Sequence, residues 1–126
     1  MKTVGEIEAA ICLGLNRFEQ EYLGRGPANI HAYLRDDLLI VRANGVLTTA
    51  EQKLALATPI ENGRELLKGV RTRLVATAQP QLVALVEDIA RVNVVCVHHD
   101  ISTVTGEEFV VFVLGQKPSV RAPNRQ

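Results

Sequence analysis

An α+β domain, with helices packed on one antiparallel sheet of about four strands, follows from three features of the sequence. Apolar residues recur at intervals of three and four through residues 4–23, 60–78 and 82–90, the period of a helix with one buried face. Short runs rich in Val, Ile, Leu and Phe occupy 30–34, 38–43, 92–101 and 108–114, the composition of strands. These runs come in pairs separated by turn-like residues, so each pair reads as a hairpin and the order is α-ββ-αα-ββ.

The first helix opens on Thr3-Val4-Gly5-Glu6, a capping box in which Thr3 and Glu6 satisfy each other's backbone N–H groups. Val4, Ile7, Ile11, Leu15, Phe18 and Tyr22 form its apolar stripe. Gly24 supplies a left-handed stop, and Gly26-Pro27 forbids continuation. The first hairpin turns at Arg35-Asp36-Asp37, because Asp tolerates a positive φ, and Asn44-Gly45 ends its second strand. Thr48-Thr49-Ala50-Glu51 is a second capping box that starts a short helix ending near Ala57. Pro59 then stands where a first helical residue needs no N–H. Pro80 predicts a kink or a fresh helix start inside the long pattern that follows. Residues 92–101 and 108–114 form the last hairpin, with Gly106 in its loop. The expected domain is 1–114. Residues 115–126, with two prolines, three cationic residues and Val120 as the aliphatic anchor, are expected to be a flexible tail.

Composition narrows the function. The chain has 126 residues, 47% hydrophobic and 22% charged, enough for one core. Net charge is zero and there is no Trp, which argues against a nucleic-acid partner and against base stacking. Glu6, Glu8, Arg17 and Glu19 interrupt any leader-like apolar run, and no run reaches membrane length. A cytoplasmic protein without membrane insertion is expected. Cys12 and Cys96 are far apart and do not suggest a disulfide framework.

Both faces of the last hairpin are apolar. Phe109, Val111 and Val113 alternate with Val110, Phe112 and Leu114. In the strand before it, alternation places Val92, Val94 and Cys96 on one face and Val95, Val97 and Ile101 on the other. An antiparallel sheet in a small monomer leaves one face polar. A second copy of the chain is the simplest cover for the extra apolar face, so a homodimer is expected.

The stretch Val95-Cys96-Val97-His98-His99-Asp100 gathers ligand-type side chains. Alternation puts Cys96, His98 and Asp100 on one face and His99 on the other. That trio could offer S, N and O donors to zinc, as in a small hydratase or hydrolase. Its outer members stand about 13 Å apart along the strand, so convergence needs a fourth group such as His31. Otherwise Cys96 is a small buried residue, and Asp100 accepts from Ser102 or Thr103 in the loop. Arg64 and Arg71, two turns apart on one helix face, could hold a carboxylate or a phosphate, or pair with acidic neighbours such as Glu61 and Glu65. No Walker or dinucleotide motif occurs.

The segments "GRGPANIHAYLRDDLLIVRANGVLTTAEQKLA", "GRELLKGVRTRL" and "VNVVCVHHDISTVTGEEFVVFVL" resemble the YbcI-like family of small bacterial proteins, a conserved domain of unknown function. The resemblance covers residues 3 to about 114. It rests on Gly24 to Pro27, Leu47-Thr48 with Glu51, Gly63-Arg64 and Asp100 to Thr103. It implies an accessory role beside inorganic-carbon uptake and brings no catalytic residues with it. The reading is a non-catalytic accessory or regulatory module that binds a protein partner or a small anion. Its expected contact residues are Arg25, Arg64, Arg71, Asp100, Ser102 and Thr103. The alternative is a zinc enzyme built on Cys96, His98 and Asp100.

Overall fold

In a computed structural model, residues 1–123 are described. The elements are α1 (Val4–Leu23), β1 (Asn29–Arg35), β2 (Leu38–Asn44), α2 (Thr49–Ala55), α3 (Ile60–Ala90), β3 (Val94–Ile101) and β4 (Glu108–Leu114). This is the predicted order. Both capping boxes form. Glu6 N donates to Thr3 Oγ1 at 3.1 Å and Thr3 N to Glu6 Oε1 at 2.9 Å. Thr48 and Glu51 repeat the exchange at 3.2 and 2.9 Å. α1 stops at Gly24 with φ +81°, and the first hairpin turns through Asp36 at φ +52°.

Pro80 neither ends nor divides α3, which runs for 31 residues through it. Gly63, Leu67, Arg71, Ala78, Leu82, Val86 and Ala90 are buried along one stripe spanning both sides of the proline. Pro80 and Ala76 are exposed, so water can serve the carbonyl that loses its helical partner.

The sheet order is β1-β2-β4-β3, with every neighbouring pair antiparallel. The helices lie on one face. Ala32, Leu34, Leu39, Val41, Val110 and Phe112 point inward and join Ile7, Ile11, Leu15, Leu82 and Val86 in the main core. A second cluster, Ala43, Val46, Leu47, Ala55, Leu67 and Ile101, closes the end of the sheet beneath α2.

Simple alternation fails at one place in β3. Val94 pairs with Leu114 and Cys96 with Val113, so Val95 is an extra residue in a bulge. Val94 therefore packs against the core while Cys96 lies on the opposite face, correcting the expectation that they share one. Val95 is left 66% exposed.

Residues 115–123 run back to the N-terminus. Val120 packs on the core, Arg121 N donates to Lys2 O at 3.1 Å, and the Arg121 guanidinium reaches Met1 O and Glu6 Oε1. The part of the tail expectation that concerns 124–126 lies outside the described residues.

Candidate functional site

The predicted contact residues collect at one end of the sheet. The register aligns Asn29, Asn44, Glu108 and Ile101 there, below the α1–β1 turn, the start of α2 and the β3–β4 loop. Arg25 Nε donates to Gly45 O at 3.0 Å, and Arg71 Nη2 donates to the next carbonyl, Val46 O, at 2.8 Å. Two guanidiniums thus grip the left-handed Gly45 turn (φ +67°). Arg71 is 1% exposed, so its role is internal. Its Nε lies 3.3 Å from Glu51 Oε2, and Glu51 also serves the α2 capping box.

Arg64 faces a cleft of about 280 Å³ with Gln52, Leu56, Thr103 and Thr105 among its lining residues. Its Nε is buried and has no hydrogen-bond partner among the described residues. Ser102 organises the loop rather than receiving Asp100: its N donates to Glu107 O, its carbonyl accepts from Gly106 N, and its Oγ accepts from Thr105 N. Asp100 instead pairs with Lys68 Nζ at 3.1 Å and accepts from Ile101 N, and these bonds hold its carboxyl below the usual range. Its expected contact with Ser102 or Thr103 does not form.

Cys96 Sγ lies 3.6 Å from His98 Nε2, closer than strand spacing suggests. Asp100 is turned to Lys68, and His31 sits on β1, at the opposite edge of the sheet. Among the described residues, no group of three His, Cys, Asp or Glu side chains is arranged to hold a metal ion.

The sequence reading missed a buried polar network. His99 points inward, and its Nε2 lies 2.9 Å from Glu108 Oε2. Glu19 from α1 and Arg71 from α3 complete the group, and Glu19, Arg71 and Glu108 are all buried. Burial, then the adjacent Glu108, pushes the Glu19 carboxyl up to about 9. Glu108 is held down at about 2: burial opposes this, but bonds from His99 and Glu19 outweigh it. Glu19 therefore stays protonated beside an ionised Glu108, and among the described residues its Oε2 has no hydrogen-bond partner. The cavity beside them is about 20 Å³ and lined mainly by Leu15, Phe18, Leu82 and Val110, room for one water and no ligand. Periodicity held the clue to this network. Glu19 continues the i+4 series of Ile7, Ile11 and Leu15, and Glu108 opens the inward series Val110, Phe112, Leu114.

Among the described residues, no element packs on the sheet face away from the helices. Its rows are Arg35–Leu38–Val113–Cys96, Tyr33–Ile40–Val111–His98 and His31–Arg42–Phe109–Asp100. Leu38, Ile40, Val111 and Val113 make an apolar centre, with Tyr33 and Phe109 exposed beside it. Charges sit on the edges. Arg42, nearer the middle, is already paired with Glu107 at 2.7 Å and lies over the Phe109 ring.

A family model described as "Na+-translocating membrane potential-generating system (MpsC)" matches residues 3–116. The chain belongs to the MpsC family. It is also 32% identical over 113 residues to the uncharacterized protein YbcI of Bacillus subtilis (strain 168), covering 90% of this chain and 89% of that protein. The YbcI-like resemblance of the sequence therefore holds. No solved structure matches. No helix among the described residues is long and apolar enough to cross a membrane.

Proposed function

We propose that this MpsC-family chain is a non-catalytic accessory module, homodimeric and cytoplasmic, that docks on a membrane protein of a Na+-translocating system serving inorganic-carbon uptake. The observation that carries a binding role is the uncovered sheet face, whose apolar centre and polar margin have the make-up of an interface. The family description supplies the membrane system as context. The end of the sheet bearing Arg25, Arg64, Ser102 and Thr103 is the contact for the membrane partner, because Arg64 offers a donor that no described residue uses. A partner carboxylate satisfies it by charge-assisted bonding, and the same cleft suits a small anion such as bicarbonate.

The test is co-purification from detergent-solubilised native membranes. A tagged chain should retain a multi-span cation-transporting protein, and Arg64→Gln should reduce its recovery at least tenfold while leaving the circular dichroism unchanged. Equal recovery with the variant, or recovery of no such transporter, contradicts the proposal.

A further inference from the structure

We infer that the uncovered sheet face is closed by a second copy of this chain, stacked so that the two-fold axis runs parallel to the strands between β2 and β4. This rests on the homodimer reading above and adds the partner's placement to it. Two sheets packed face to face align within about 30° at a separation of about 10 Å. A two-fold axis lying in that interface has two simple settings, and the side chains distinguish them.

With the axis parallel to the strands, β1 of one copy crosses β3 of the other, and β2 crosses β4. Each row then meets its own counterpart reversed. His31 faces Asp100 of the second copy, Tyr33 faces His98, Ile40 faces Val111, and Leu38 faces Val113. Arg42 meets Phe109, repeating across the interface the cation-over-ring contact each chain already makes at 5.9 Å. Arg35 meets Cys96. The apolar centre is covered by apolar side chains, and the His31 imidazole meets the Asp100 carboxylate, a hydrogen-bonding pair, at one pair of corners. Asp100 retains Lys68 on its other side and Arg42 retains Glu107, while Arg35 stays at the rim of the interface, beside Cys96.

With the axis across the strands, β1 crosses β1 and β3 crosses β3, with the rows inverted. Arg35 then lies on His31 of the second copy, twice over by symmetry. Leu38 lies on Arg42, and Cys96 on Asp100. Basic groups collect at one edge, and the apolar centre is opened to a guanidinium. Register and charge therefore select the parallel axis.

Single-cysteine chains test the placement. In a Cys12→Ser, Cys96→Ser background, His31→Cys is mixed with Asp100→Cys, and separately with Arg35→Cys, and each mixture is treated with a short bis-maleimide. Chains of different tag length make every mixed product intermolecular. The parallel axis predicts at least fivefold more linked product from 31 with 100 than from 31 with 35. A dimeric mass with the reverse preference, or with equal linkage, overturns the placement and leaves the homodimer standing. A monomeric mass for the unmodified chain and for the Cys12→Ser, Cys96→Ser background overturns both.

Discussion

Glu19 is the residue whose chemistry departs furthest from what its type suggests. A glutamate in the buried stripe of α1 is tolerated because burial and the adjacent Glu108 keep it protonated. The sign of its pH effect follows from its raised value. Its contribution to stability is complete below its ordinary 4.5 and is lost as pH rises toward about 9. Glu108 works in the opposite direction: its contribution is present above 4.5 and is lost as pH falls toward about 2. Glu19→Gln keeps a donor toward Glu108 and cannot ionise. Thermal melts should show the variant gaining on the parent chain as pH rises from 5 to 8, by at most about 1.4 kcal/mol per pH unit. An unchanged pH profile would mean that position 19 is solvated. The sequence marks Arg71 as a contact residue and Glu19 as one charge among several in α1, because charged residues are usually found outside. Only the spacing that places them in line with Ile11, Leu15 and Leu67 shows otherwise.

At the scale of elements, capping and turn chemistry carried the reading furthest. Thr3, Gly24, Asp36, Gly45 and Thr48 each do locally what their residue type allows, so α1, the first hairpin and the start of α2 were readable. The readings that failed depended on tertiary context. The fresh helix start offered at Pro80 does not occur, because both flanks bury one stripe, and Val95 bulges where alternation predicts none. Gly63 shows why a glycine follows the short helix. A Cβ there would run into the carbonyl oxygen of Leu54, so its absence lets α2 and α3 touch. Gly63→Ala should separate the two helices and lower stability by about 1–3 kcal/mol, read as an earlier urea midpoint with an unchanged slope. A neutral effect would show that α2 moves aside at no cost.

For the whole molecule, the decisive asymmetry is that all three helices lie on one side of the sheet. The apolar faces of the last hairpin announced a surplus of hydrophobic surface, which the sequence alone could have distributed over two helical layers. The register removes that possibility by gathering Leu38, Ile40, Val111 and Val113 on the open side. The candidate site was readable in part. Arg64 and Thr103 meet in one cleft, whereas Arg71 is internal and the cysteine–histidine–aspartate trio does not converge, because side-chain pairing is decided by neighbouring elements. If the open face is an interface, sedimentation equilibrium at micromolar concentration should give twice the 13.8 kDa chain mass, and Val111→Lys should return the single mass with its secondary structure intact. A parent chain that sediments as 13.8 kDa across that range would contradict the account.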